Sequence, residues 1–521
     1  MIYDMTKQDS RTSKSIKNSS VALVFYFINL ILQFFSRKIF LDYLGAEVLG
    51  LNTTATNLLQ FLNLAELGIG AAVSYNLYKP LLVGDKQAIN DIVSIQGWLY
   101  QRIALMVIAG ACILMCFFPL IFAKAEVPLW YTYGTFLALL TGALLGYFVN
   151  YRQIVLSADQ KEYKITYCLK GGMVVKTIGQ IIAISLLDNG YMWWMIIEAV
   201  SAFVIAYALN RTIRKEYPWL SPDLRGGGRL RERYPQIITK TKQLFFHKIA
   251  GFVLSQTSPL VIYAYASLTL VAAYGNYMLI FMGVTALMNA LLNGITAGIG
   301  NLVAEGDKRK IKAVFWRITF IRMWVASAIC FAIYMCGNAF VALWVGKDFL
   351  LPHTAFIALV INTFITLTRT NDAFLAAYGL YQDIWSPIAE AMLNLGFSIL
   401  LGYYWGLAGI LIGVSISLLL IVCCWKPYFL YKQGFKEKIG EYVRLYVKYI
   451  GVMLLSAWLC VEFTKICVGD IVDSYGTWGL YCLMVLGIYT VCSLPLLYLF
   501  DSYPRFFIQW CYNAFIKKLA K

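Results

Sequence analysis

Apolar runs of spanning length follow one another along this chain, separated by short connections in which Gly, Pro and charged residues collect. A helix that crosses the hydrocarbon core needs about 20 mostly apolar residues. On that measure the pattern predicts spans at 17–44, 50–78, 93–122, 129–157, 164–187, 192–211, 241–264, 269–303, 314–341, 353–378, 384–403, 407–430, 445–465 and 477–500. The expected fold class is an all-α polytopic membrane protein with about 14 transmembrane helices.

Charge gives the spans a direction. The connections holding Lys161 and Lys164, then Arg211 to Lys242, then Lys308, Arg309, Lys310 and Lys312, then Lys432, Lys436 and Lys438 are basic, whereas the opposite set carries only Lys124, Lys347 and Lys465, each near Glu126, Asp348 or Asp470 and Asp473. Cytoplasmic loops hold the excess of Lys and Arg, so both termini are expected inside. Lys7, Arg11, Lys14 and Lys17 precede the first span without a small-residue cleavage site, which predicts a retained helix and not a removed signal peptide. The segment 214–240, with Pro218, Pro222, Gly226, Gly227 and Gly228 among its arginines, reads as a basic interlobe linker.

An internal echo divides the chain. Leu67-Gly68-Ile69-Gly70 is followed by Gly84-Asp85-Lys86, and Ala297-Gly298-Ile299-Gly300 by Gly306-Asp307-Lys308. Transporters are often built from such repeats. The expected organisation is an N-terminal lobe at 1–213, the linker at 214–240, a C-terminal lobe at 241–431 and two additional spans with a basic tail at 432–521.

Composition narrows the class further. At 60% hydrophobic and 14% charged residues, with a mean hydropathy of +0.67, the chain is too apolar for a soluble domain. Its formal charge of +17 sits in the loops, which matches lipid head groups and argues against a nucleic-acid partner. The 12 Cys show no CxxC pair and read as small hydrophobes packed in the spans, with Cys460 and Cys467 the one pair worth testing as a disulfide. Two His and no His/Cys cluster argue against a catalytic metal, and no soluble segment offers the acidic ligands of a nucleotide-sugar enzyme.

Charges at predicted membrane depth carry the functional signal, because each costs about 2.5–3.5 kcal/mol at a helix centre. The cations are Arg37, Lys38, Arg102, Arg152, Lys170, Lys176, Lys248, Arg322 and Arg369, and the acids are Glu66, Glu198, Asp372 and Glu390. Positive charge is left over after pairing. Arg102 and Arg152 lie near a span end, where snorkelling competes with function. Glu66 either binds a coupling Na+ or H+ or holds a cavity arginine, and Asp372, three residues after Arg369, can face it on one helix.

Ser36-Arg37-Lys38-Ile39-Phe40, Leu44-Gly45, Gly50-Leu51, Ala65 to Gly70, Tyr75 to Pro80, Phe246-His247-Lys248-Ile249-Ala250-Gly251 and Tyr274 to Tyr277 together resemble the polysaccharide exporters, the Wzx-type lipid-linked oligosaccharide flippases of the superfamily that includes the MATE exporters and lipid II flippases. The likeness covers the whole chain. It departs at Gln256-Thr257-Ser258-Pro259, where relatives often carry an Asp. The resemblance implies two six-helix lobes with pseudo-twofold symmetry around a central cavity, plus two extra C-terminal helices. It implies a non-enzymatic transporter in the bacterial inner membrane that flips polyprenyl-pyrophosphate-linked oligosaccharide repeat units by alternating access for O-antigen, capsule or exopolysaccharide synthesis. Partners would be membrane lipid, the undecaprenyl-pyrophosphate-linked oligosaccharide and the polysaccharide polymerase machinery, with no cofactor beyond a coupling ion. Arg37, Lys176, Lys248 and Arg369 are the expected pyrophosphate ligands; Glu66 and Asp372 are the expected ion-coupling or salt-bridge acids. A cation-coupled multidrug antiporter of the same fold, which would favour an acidic cavity, and a polysaccharide polymerase, which commonly uses a large outer loop, are the alternatives.

Overall fold

The structure, a computed structural model, describes residues 2–66, 69–239, 241, 258–380, 383, 385–467 and 473–500. The described residues form helices joined by short turns, in two compact units, Met1–Ala272 and Ala273–Lys521. Ten helices among them are long and apolar enough to cross a membrane. The difference from fourteen has local causes. Expected spans one and two share one bent helix, as do spans eleven and twelve; span ten is broken, and most of span seven falls outside the described residues.

In the first unit, α1 (Ile2–Leu62) turns at Gly45, whose φ of +83° replaces the loop that the sequence suggested at 45–49. A 3₁₀ turn at Asn63–Glu66 ends its second arm before α2 (Ile69–Val83). Then come α3 (Lys86–Cys116), α4 (Leu129–Phe148), a second 3₁₀ turn at Asn150–Gln153, α5 (Glu162–Leu186), α6 (Gly190–Glu216) and the short α7 (Gly227–Arg233). The connections expected on the cytoplasmic side gather at one end of this unit. Lys161 pairs there with Asp159 at 2.6 Å and Glu216 at 2.7 Å, Lys164 also reaches Glu216, and Tyr217 donates to Asp159 at 2.7 Å. Of the segment expected as a linker at 214–240, residues 217–234 belong to this unit and are strapped across α3. Ser221 N–H donates to Asn90 Oδ1 (2.8 Å) and Asp223 N–H to Ser94 Oγ (2.8 Å).

In the second unit, α8 (Leu268–Glu305) enters from the first and is followed by α9 (Lys308–Trp344), α10 (His353–Leu367), α11 (Thr370–Ala377) and α12 (Trp385–Leu418). Gly406 (φ +55°) folds α12 back on itself. A Cβ on Gly409 would lie 1.9 Å from the Leu401 carbonyl oxygen and one on Gly413 2.5 Å from Ser398 N, so the two arms touch backbone to backbone. Two wide π-helical stretches, Leu419–Trp425 and Leu430–Phe435, continue the chain. Last come α13 (Gly440–Cys467) and α14 (Tyr475–Phe500); α14 packs on α9 through Trp324 Nε1–H to Ser493 Oγ (3.0 Å) and Tyr489 O–H to Ser327 Oγ (2.8 Å). An aromatic core of Phe315, Trp316, Phe374, Tyr431, Phe435, Tyr442 and Tyr449 ties α9, α11, the second π stretch and α13 together.

The echoed motif is one structure used twice. Gly84 and Gly306 sit at φ +78° and +77°, and the Asp that follows each caps the next helix: Asp85 accepts from Ala88 N (3.0 Å), Asp307 from Arg309 N (3.0 Å) and Lys310 N (3.1 Å). The cysteine expectations need two corrections. Cys112, Cys116 and Cys424 are exposed, unlike the buried Cys330, Cys336 and Cys460. Cys460 and Cys467 lie on the same helix, α13. Seven residues there rise about 10 Å, beyond the roughly 7 Å that a disulfide can bridge.

Candidate functional site

A dense charge cluster among the described residues of the second unit is built on a helix break. Thr368-Arg369-Thr370-Asn371-Asp372 offers hydroxyl, amide and carboxylate groups that compete with the helix ladder. The ladder fails there: Thr370 N–H turns back to the Thr368 carbonyl at 2.7 Å, and α10 ends as α11 begins. Arg322 of α9 takes up the freed carbonyls, donating from Nε to Leu367 O (3.2 Å) and from Nη1 to Arg369 O (3.3 Å). The guanidinium of Arg369 then reaches α12, with Nη2 2.6 Å from Glu390 Oε1 and Nη1 3.7 Å from Asp372 Oδ2.

Lys426, between the two π-helical stretches, closes the cluster. Its Nζ lies 2.8 Å from Asp372 Oδ1 and 4.0 Å from Glu390 Oε2. Three cations, Arg322, Arg369 and Lys426, thus face two carboxylates, leaving one positive charge over. Glu390 is 2% exposed, whereas the Asp372 side chain is 37% exposed and forms the open edge. The Nε of Arg369 is buried without a hydrogen-bond partner among the described residues. Such a cluster can accept an anion: a donor is unspent, and carboxylate contacts can be exchanged for oxyanion ones.

The first unit separates its charges. Lys176 of α5 is 2.7 Å from Glu198 Oε1 of α6, and Gln180 Nε2 donates to the other oxygen at 2.8 Å, so this lysine is matched within its own helix pair. Glu66 sits in the 3₁₀ turn that breaks the second span. Tyr100 O–H of α3 donates to its Oε1 at 2.8 Å, with the Tyr147 ring edge-on to Tyr100 at 5.5 Å and the Tyr147 hydroxyl donating to Asn63 Oδ1 at 2.9 Å. Arg37 on the first arm of α1 donates from Nη2 to Ala272 O at 2.9 Å.

Of the expected site residues, the structure therefore brings together Arg369 and Asp372, puts Lys176 and Glu66 in separate clusters, and places Arg37 on a backbone carbonyl. Lys248 lies outside the described residues. Sequence reasoning missed Lys426, although it stands inside the span expected at 407–430, and a lysine at such depth is itself the signal. It also missed Tyr100 and Gln180, for which polar residues spaced along spans gave no distinguishing mark.

No protein-family model matches the chain, and no curated protein does. Among solved structures, a lipid II flippase, MurJ, in an inward closed conformation matches with a TM-score of 0.61 at 12% identity, over 91% of this chain and 98% of that one. A multidrug-resistance MATE-family transporter of the MOP superfamily, in an inward-facing conformation, matches with a TM-score of 0.55 at 16% identity, over 78% of this chain and 95% of that one. The described residues form helices and turns without a strand, and the chain is a multi-pass membrane protein that shares its fold with these flippase and transporter structures.

Proposed function

We propose that the chain is a flippase for polyprenyl-pyrophosphate-linked oligosaccharide repeat units, working by alternating access in the bacterial inner membrane to supply surface polysaccharide synthesis. The observation that carries the reading is the cluster at the break between α10 and α11, where Arg322, Arg369 and Lys426 outnumber Glu390 and Asp372 inside a membrane-spanning unit. A diphosphate can take the forked donors of Arg369 and the ammonium of Lys426 while the two carboxylates relax toward Arg322 and water. A fold shared with a lipid II flippase supports a lipid-linked cargo. Lys176, already met by Glu198, holds α5 to α6. Arg37 and Lys248 stand as further candidate phosphate contacts, each to be tested singly.

The test is complementation of a bacterium lacking its own oligosaccharide flippase, read as surface polysaccharide. Arg369→Gln and Lys426→Gln should abolish export, with lipid-linked glycan accumulating on the cytoplasmic side and the protein still inserted. Undiminished export by both variants would remove the cluster from the mechanism.

One observation favours the second reading, cation-coupled drug export. Glu66, held by a tyrosine hydroxyl at a helix break, has the surroundings of a carboxylate that exchanges an ion or a proton. The readings part on drug tolerance: raised resistance to cationic drugs on expression, lost in Glu66→Gln, would favour the antiporter.

A further inference from the structure

The basic segment 217–234 is held in place along α3 from Asn90 to Trp98, a little over two helical turns. Asn90 binds it twice, accepting from Ser221 N (2.8 Å) and donating to Trp219 O (3.5 Å); Ser94 accepts from Asp223 N (2.8 Å); Asp91 accepts from Tyr234 O–H (3.5 Å) and pairs with Arg233 at 3.6 Å. Asp223 also accepts from the N–H groups of Arg225 (3.0 Å) and Gly226 (3.1 Å), fixing the turn into α7. Contact is close enough to exclude side chains. A Cβ on Gly227 would stand 2.5 Å from Ser94 O and 2.7 Å from Trp98 Cβ, and one on Gly97 would stand 2.2 Å from Leu224 Cδ2.

This clamp has an electrostatic result. The guanidinium of Arg231, on the strap, lies 5.5 Å from the centre of the Trp98 ring, and that of Arg102, on α3 itself, lies 3.9 Å from the same centre. Neither forms an ion pair with a carboxylate among the described residues. An indole face attracts a cation, but two cations gathered at one ring repel each other, and a shared anion is what offsets that. The height of the ring fits as well. Below it Ser94, Ile95, Gln96 and Gly97 are buried in the unit; beyond Arg102 the exposed side of α3 turns to Leu105, Met106 and Ile113, which are 58–63% exposed and suited to lipid. Trp98 thus sits where the apolar belt meets the basic end, the level that lipid phosphates occupy.

We propose that Trp98, Arg102 and Arg231 form a binding site for the phosphate of a lipid headgroup, separate from the cluster at Arg369, and that the strap exists to hold Arg231 at that site. Bulk anionic phospholipid and the pyrophosphate head of a polyprenyl lipid offer the same chemistry. Arg225 and Arg229, exposed on the same strap, supply a charge-matched control.

The experiment is native mass spectrometry of the full chain, exchanged into micelles doped with phosphatidylglycerol or phosphatidylethanolamine. The wild type is expected to retain phosphatidylglycerol preferentially. R102Q/R231Q should lose that retention by roughly tenfold, the scale of a charged hydrogen bond, while R225Q/R229Q stays within about twofold. Equal loss in both double variants would overturn the site in favour of diffuse surface charge, and no loss in R102Q/R231Q would overturn it outright. Gel-filtration profiles matching the wild type confirm that the variants are folded. Adding a polyprenyl pyrophosphate distinguishes the two lipid sources: displacement of phosphatidylglycerol assigns the site to the polyprenyl lipid, and its persistence assigns it to bulk phospholipid. Displacement by inorganic pyrophosphate at the same concentration would overturn the lipid assignment.

Discussion

Removing one member of the Arg369–Glu390 pair should cost far more than removing both. At 2.6 Å, with Glu390 2% exposed, the pair's Coulomb attraction is on the order of 6 kcal/mol at an effective dielectric of 20, and desolvation of both groups cancels most of it. Glu390→Leu leaves Arg369, Arg322 and Lys426 facing Asp372 alone; Arg369→Met leaves Glu390 buried with only Lys426 at 4.0 Å. Each single variant should therefore be destabilised by about 3–5 kcal/mol, the range for an uncompensated buried charge, whereas the apolar double variant should fall within about 2 kcal/mol of the wild type. Thermal denaturation of purified protein in detergent gives the order: wild type and double variant close together, both singles well below. The double variant should nevertheless fail to export, because a well-folded cluster without Arg369 has lost its forked donor. Additive destabilisation, with the double variant the least stable, would refute the account of the cluster as a compensated charge set. A stable double variant that still exports would refute its role in transport.

Two further outcomes follow from the first unit. Gly227→Val forces a side chain against the Ser94 carbonyl and Trp98, so it should lift the strap from α3 and make Arg229 to Arg233 readily cut by trypsin, at a rate several-fold above wild type. Burial pulls the Lys161 ammonium down, but hydrogen bonds to Asp159 and Glu216 outweigh it and leave its pKa raised. A raised folded pKa means that the contribution is complete below the ordinary lysine range and is lost only as pH climbs through the folded value. Lys161→Met should accordingly lower the thermal midpoint by the same amount at pH 6 and pH 8, with the gap to wild type closing only in strongly alkaline buffer.

Much of this architecture is legible in the sequence because its signals are local. Apolar length marks the spans, and Gly-Asp-Lys at 84–86 and 306–308 writes a left-handed turn and a helix cap into three letters. Where the sequence misled, the geometry was more compact than punctuation suggests: Gly45 and Gly406 each turn a helix within one residue where a loop was expected. The break at 368–369 carries neither Gly nor Pro; it becomes visible only with Arg322, 47 residues from Arg369, in place to cap the released carbonyls. Partner choice is likewise non-local. Lys176 looks available until Glu198 on the next helix meets it, and a Pro- and Gly-rich basic stretch looks like a tether until Asn90 and Ser94, 131 and 129 residues from their bonding partners, are seen to hold it.

The paired π stretches around Lys426 have an effect on aim. Each wide turn takes up one residue more than the 3.6-per-turn ladder would, so every side chain after it stands about 100° from where an unbroken α-helix of the same sequence would carry it. Lys426 follows the first of these insertions, so the compass bearing of its ammonium depends on that surplus residue as much as on its own identity. Substitutions that let 419–425 close into a regular α-helix without shortening the chain would leave the charge of the segment unchanged and swing the ammonium a quarter-turn or more away from Asp372, making the wide turn here as exacting a requirement as side-chain chemistry.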